Sequence, residues 1–508
     1  MAEIRVEKSC AESNLFVPVS DIMLAEVIDT ARVLACRYPG ILERIESDQD
    51  HLALQKKQLW RKQQAWVRSR TGTLPGFETF ASARIVAGAL QGGRPRMDSE
   101  TALVFLVISQ YFNAIYSDTA VERLLDSLSV YRLLAVKGIR MPVRRTIGDN
   151  ANAVSLETPQ YILQSQARVA VVDELDDFRE VFGDSTSCAA NTRWPTDSGL
   201  ILRLLRRTFR NSQKLDEFGL PNVRVHWTRQ WLTRLRKLDF ALSNAKNRCE
   251  RRNLYRRFLK TASKTAWHLG DEVFRLHRMV PAADLPAMLR QRLQRLCKGM
   301  IEDLSDLCRI HRRCENRVLD GRRAKGSGRI LSLSDRTAAY ISKGDRCPVV
   351  GYKPQLTRSR SGLVTALVVP EGNAADSRML VPLVEETMET TGVVPAVASF
   401  DDGYSSAQGL NDPHRLGIPD VSFSGSKGKA ALGDERWGSE LLRDARRRSA
   451  VESTIFSLKL CREFGRLRRR GIKAVREELT AKVVVYNFCR IILLRKRKRA
   501  EDQQIAVA

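Results

Sequence analysis

The chain has 508 residues, 85 Lys+Arg against 58 Asp+Glu, and a formal net charge of +27. At 43% hydrophobic and 28% charged, it excludes a disordered or fibrous protein. Its length predicts roughly two to four domains with real cores. The longest apolar run, residues 483–494, contains Asn487 and Arg490, which makes it too short and too polar to span a bilayer. With no apolar leader and ten scattered cysteines, the expectation is a reducing cytoplasm.

In chain order, residues 1–84 read as helices with polar linkers, for example 19–34 and 48–68. Helical spacing continues at 83–92 and 101–116, and Asp118-Thr119 caps a further helix at 120–128. Residues 85–165 therefore read as a helical head suited to DNA binding or dimerisation. The stretch 168–187 changes character: Val169, Val171 and Val172, then Val181-Phe182-Gly183-Asp184, predict a strand ending in a polar cluster. Helical periodicity returns over 200–318 with Leu, Arg and Trp. Trp227, Trp231 and Trp267 read there as core rather than as base-stacking platforms. A basic GRRAKGSG linker follows at 321–328. Strands are predicted at 349–356 and 363–369 around a hairpin turn, a helix capped by Asp376 runs to about 391, and short strands lie at 394–400 and 419–424. From 435 onward the chain reads as helix, basic on its outer face. The whole describes a mixed α/β core interrupted by a helical insertion.

Charge is concentrated. Residues 201–330 hold 32 Lys+Arg and 12 Asp+Glu, and residues 441–500 hold 19 and 5. The net charges are +20 and +14, which leaves −7 for the rest. Two surfaces that track a phosphate backbone would produce this pattern, with double-stranded DNA as the partner.

Three acids stand where metal chemistry could use them. Asp184 and Asp401 end apolar strands, and Glu452 lies in a helix. A few carboxylates are what Mg²⁺ or Mn²⁺ requires, and two such ions about 4 Å apart can serve the attacking and leaving oxygens of a phosphodiester. An acid at a strand end is more often a cap or turn residue, so position alone does not decide.

Residues 184–200 read DSTSCAANTRWPTDSGL, 398–406 read ASFDDGYSS and 448–459 read RSAVESTIFSLK. In this order they resemble the DDE transposases of bacterial insertion sequences, and GYKPQLTRSRSGLVTALVVPEGNAAD at 351–376 resembles the central strands of ISNCY-type members. The resemblance covers about 85–495 and implies an RNase H-like mixed-sheet core. A large helical insertion would follow its first strand, with an all-helical region N-terminal to it. The expected division is a 1–84 extension, an 85–167 head, a core in two parts at 168–200 and 331–494, a 201–330 insertion and a 495–508 basic tail. The resemblance further implies that Asp184, Asp401 and Glu452 are catalytic and hold two Mg²⁺ (or Mn²⁺) ions. Arg448 and Lys459 would grip DNA from the helix face that carries Glu452, since positions 448, 452 and 459 share a face. Ala445 stands where the family has Tyr, which speaks against a hairpin mechanism using that Tyr. The implied activity is cleavage at the element's inverted repeats and transfer of the 3′-OH into target DNA. A homodimer or larger synaptic assembly would act at the nucleoid. The alternatives are a non-catalytic DNA-binding derivative, or a nuclease that cuts without joining.

Other candidates carry less. Cys308, His311 and Cys314 lack a fourth ligand. Asp335 precedes the hairpin without a matching motif, and Asp402, Asp197, Asn373 and Asp376 read as turn or cap residues. FSGSKGKA at 423–430 lacks P-loop spacing, although Lys427 and Lys429 could touch phosphate.

Overall fold

The structure is a computed structural model that describes residues 3–4, 17–71, 97–111, 144–216, 218, 220, 225–283, 285, 287–322, 329–342, 347–405, 416–423, 425 and 449–507. The helices expected at 83–92 and 120–128, Lys427, Lys429 and Arg448 lie outside the described residues. The chain divides into two compact units, one formed by 1–56, 95–192 and 337–508, the other by 57–94 and 193–336.

The first unit opens with a short ladder of β1 (Glu3–Ile4) and β2 (Val17–Pro18), then α1 (Val19–Arg37) and the start of α2 (Gly40–Thr71). Helices α3 (Ser99–Tyr111), α4 (Arg144–Ala153) and α5 (Glu157–Val172) follow, then strands β3 (Glu180–Ser185) and β4 (Cys188–Ala189). Val169, Val171 and Val172 do not form the expected strand; they complete α5. Pro159 sits in the first turn of that helix, where its missing N–H costs nothing. At its end Val169 and Ala170 are buried while Val171 and Val172 are exposed, a helical rather than an alternating pattern.

Among its described residues the second unit holds the end of α2 and the helices α6 (Asp197–Asp216), α7 (Val225–Ser243), α8 (Arg248–Ala282) and α9 (Ala287–Val318). Leucines at 3–4-residue spacing, among them Leu204, Leu205, Leu235 and Leu238, meet Phe258, Leu259 and Leu307 in one core. Thr196 Oγ1 accepts from Gly199 N at 3.1 Å, so Thr196 caps α6 rather than Asp197, which accepts from Arg317 at 2.6 Å.

The chain then returns to the first unit with β5 (Ala339–Ile341), β6 (Val349–Tyr352), β7 (Gln355–Ser359) and β8 (Val364–Val368). The single strand expected at 349–356 is thus two. Pro354 cannot donate to a ladder, and the chain passes there from one sheet to another. After a 3₁₀ turn at Asp376–Arg378 come α10 (Leu380–Thr391), β9 (Val397–Phe400), a 3₁₀ turn at Asp402–Tyr404, β10 (Asp420–Phe423), α11 (Ser449–Arg462) and α12 (Ile472–Val507). Gly392, at φ 71°, closes α10 as a left-handed cap. Among the described residues no helix is long and apolar enough to cross a membrane.

The main sheet has the order β10-β9-β3-β7-β8. Strands β10, β9 and β3 run parallel, while β7 is antiparallel to both β3 and β8. A smaller antiparallel sheet runs β4-β6-β5. The result is a mixed α/β fold. Val181, Ala366, Ala398, Phe400 and Val421 from the main sheet share a core with Leu380, Leu383 and Val384 of α10. Ala167 and Ala170 of α5, Phe178, Leu363 and Ile491 of α12 form a second cluster.

Candidate active site

The parallel register of β3 and β9 sets Gly183 opposite Phe400. The next residue on each strand is an aspartate, so Asp184 and Asp401 stand side by side at the carboxyl ends of neighbouring parallel strands. Such ends are where open α/β sheets gather functional groups. Glycine at 183 has a steric cause: a Cβ there would lie 2.2 Å from Cε1 of the fully buried Phe400 ring. Each carboxylate is also fixed by the backbone that follows it. Asp184 Oδ1 accepts from Ser185 N at 2.6 Å, and Asp401 Oδ1 accepts from Asp402 N at 2.8 Å, capping the 3₁₀ turn.

That turn delivers Tyr404 into the core beneath the acids. Its hydroxyl donates to Gln355 Oε1, and Gln355 Nε2 donates to Asp376 Oδ1 at 2.8 Å. Asp376 also pairs with Lys353 Nζ at 2.7 Å, with both side chains largely buried. Burial drives the Tyr404 hydroxyl well above its ordinary pKa, and the charges of Asp376, Asp184 and Asp401 push the same way against a hydrogen bond to Ser185. Three carboxylates therefore bear on a single phenol. Lys353, Gln355, Asp376 and Tyr404 were not singled out for this role in the sequence, where Asp376 reads as a cap. The spacing of GYKPQ, NAAD and DDGY contains the signal, but only the sheet brings the three together.

Helix α11 approaches from the other side of β3 and β7. Val451, Ile455 and Leu458 bury its inner face. Arg358 on β7 donates to Ala450 O at 2.8 Å and to Thr454 Oγ1 at 3.2 Å. Glu452 lies in the first turn, where the helix dipole favours an anion, and it is exposed. Lys459 is half-buried beside Cys188: burial raises that thiol to a pKa of about 12, and the Lys459 charge partly opposes the shift. The fold thus sets two of the three acids next to each other and puts the third on a helix packed over the same strand. It does not close all three into one cluster. Among the described residues, no group of three or more His, Cys, Asp or Glu is gathered closely enough to hold a metal ion. The donor set nevertheless fits a hard divalent cation in kind, because it is all carboxylate and the nearby thiol stays protonated.

The remaining candidates resolve simply. Cys308 is exposed and Cys314 buried, while His311 Nε2 lies 2.9 Å from Ser263 Oγ and 3.2 Å from Leu259 O. These are structural positions. Of the three indoles expected in the core, Trp231 is half-buried, while Trp227 is 60% exposed and Trp267 67%, because leucines fill the inner faces of α7 and α8.

No curated protein and no solved structure matches the chain. Residues 338–488, which carry Asp376, Asp401 and Glu452 and begin after Asp184, match the family described as the Transposase DDE domain, and this supports a DDE transposase.

Proposed function

We propose that the protein is a metal-dependent DNA transposase of an insertion sequence, with an RNase H-like core and with Asp184, Asp401 and Glu452 as its catalytic acids. The observation that carries the proposal is the placement of Asp184 and Asp401 at adjoining parallel strand ends, the second of them within the segment matching a transposase domain. The three carboxylates would hold two Mg²⁺ (or Mn²⁺) ions. When bound, such ions supply Lewis acidity toward the scissile phosphate and lower the pKa of an attacking oxygen.

The chain's own residues do the rest. Ser185 N and Asp402 N each donate to one oxygen of the aspartate before them and so fix both carboxylates. Lys459 on α11, and Arg448 four residues before Glu452 in sequence, would pair with DNA phosphates. Water would cleave the phosphodiester at the element's end, and the freed 3′-OH would attack a target phosphodiester in line. Both steps are direct displacements at phosphorus, with no covalent enzyme intermediate. Two protomers would bring two ends together.

The test is nicking of a supercoiled plasmid carrying the element's ends, in Mg²⁺. Asp184→Ala, Asp401→Ala and Glu452→Ala should each abolish nicking and leave end binding intact. Normal cleavage by Asp401→Ala would sink the assignment. Joining of pre-cut ends to target DNA separates a transposase from a nuclease that only cuts.

A further inference from the structure

We propose that the exposed aromatic surface formed by the start of α7 and the outer face of α8 is a stacking surface for unpaired DNA bases. These helices have already met the needs of their core with Leu232, Leu235, Leu238, Phe258, Leu259 and Leu269, all buried. Yet Trp227, at the start of α7, is 60% exposed, and Trp267, on the face of α8 turned away from that core, is 67% exposed. Large indoles left in water, beyond what the core requires, indicate a surface that something else covers.

Trp231, His268 and Trp267 form a contiguous run of rings. Trp227 and Trp231 are one helical turn apart on α7. His268 of α8 lies against Trp231 with centroids 4.5 Å apart and planes at 35°, and Trp267 meets His268 edge-on at 4.8 Å. Lys264 Nζ stands 5.1 Å from the Trp231 centroid, a cation–π pair. Along α8 the exposed positions Lys260, Lys264, Trp267, Phe274 and Arg278 set two rings between cations on one face, interrupted by Asp271.

The chemistry of rings flanked by cations selects the occupant. Phosphates pair with the cations while bases stack on the rings, and only unpaired bases offer their faces; a closed duplex hides them. The surrounding 201–330 segment carries a net charge of +20, which complements a polyanion and disfavours a basic partner such as a second copy of this face. Single-stranded DNA at an opened or cleaved end meets both requirements. The inference depends on the proposed function only in taking DNA as the polymer, and it does not involve the carboxylates.

The experiment uses the full chain in EDTA, with fluorescence anisotropy of a labelled duplex in two forms, blunt and ending in a tail of roughly ten unpaired nucleotides. The wild-type chain should bind the tailed form more tightly. W227A/W267A should lose that preference, weakening tailed binding roughly tenfold or more, while blunt binding changes less than about twofold. W227F/W267F, which keeps the rings, should retain most of the preference and controls for folding. Equal binding of both forms by wild type, or an unchanged preference in W227A/W267A, overturns the proposal. So does a fall in molecular mass by light scattering for the alanine variant with DNA affinity unchanged, which would make the face a contact between copies. Because no metal is present, this result is independent of whether nicking is found.

Discussion

Gly183 shows how one missing methyl group positions a site. The Phe400 ring occupies the space a Cβ would take, and Phe400 immediately precedes Asp401. Gly183→Ala must therefore displace a fully buried ring or the strand itself. Overpacking of this kind costs about 1–3 kcal/mol. We expect a lower urea midpoint and a larger loss of nicking than stability alone explains, since both aspartates would shift. Gly299→Ala is the control. It lies inside α9 with nothing within 4 Å of the added Cβ, and should be neutral or gain up to about 1 kcal/mol. A second residue, Glu386 on α10, predicts a pH dependence. Burial raises its carboxyl pKa, the nearby Glu389 charge adds to this, and a hydrogen bond from Gln160 opposes it. A carboxyl raised on folding penalises the native state once it must ionise. The penalty is absent below the unfolded pKa, near 4.3, and is complete above the folded one. Glu386→Gln should therefore raise Tm at pH 7, with the gain disappearing as pH falls toward 4; a gain that persists undiminished in acid would contradict this cause.

At the scale of elements, α12 completes the edge of the main sheet. Asn487 Oδ1 accepts from Val364 N and its Nδ2 donates to Val364 O, both at 2.9 Å, so one amide substitutes for a missing strand beside β8. Asn487→Ala leaves two buried backbone groups unpaired and should cost about 2–4 kcal/mol at roughly 1–2 per group; denaturant unfolding checks it, and a loss below about 0.5 would mean water replaces the amide. This interaction also shows what was legible in the sequence. The 483–494 run is plainly apolar, but that Asn487 interrupts it to pair with a strand far away in sequence cannot be read from spacing. The hairpin around Ser359-Arg360-Ser361-Gly362, the short strands ending at Phe400 and Phe423, and the helix ending at Thr391 were all readable, since local turn chemistry sets their limits. The misread elements are those decided by tertiary contacts. The valines of α5 read as strand by propensity, yet Ala167 and Ala170 of that helix dock near Ile491 of α12. The indoles of α7 and α8 read as core by hydrophobicity, yet leucines already fill it. At the site, both aspartates were visible as strand ends, while the Lys353–Asp376 pair and Gln355, which bridges Asp376 to Tyr404, depend on two strands and a turn meeting.

For the whole molecule, the two basic segments have different fates. Among the described residues of 441–500, many cations are used inside the first unit. Arg462 donates to Tyr111 O, Arg476 to Val369 O and Arg490 to Ser361 O. Lys482 is buried against Glu478, whose carboxylate also accepts from Arg468 N and Arg469 N. Arg495 pairs with Asp173, Lys496 with Glu26 and Lys498 with Glu174, so these cations of the basic run near the C-terminus have partners within the unit. In the second unit, by contrast, Arg251, Arg256, Arg257 and Lys260 are exposed on α8. We expect the exposed cations of α8, rather than those paired within the fold, to track phosphates. Each phosphate contact contributes about −0.9 to the slope of log K against log salt on duplex DNA. Neutralising Arg256, Arg257 and Lys260 together should flatten that slope by up to about 2–3 and leave the urea midpoint nearly unchanged. Neutralising Lys482 should do the reverse, costing about 3–5 kcal/mol as a buried carboxylate loses its partner while the salt slope stays put. If the two sets behave alike in either measurement, the charge of this protein is not partitioned between fold and partner in this way.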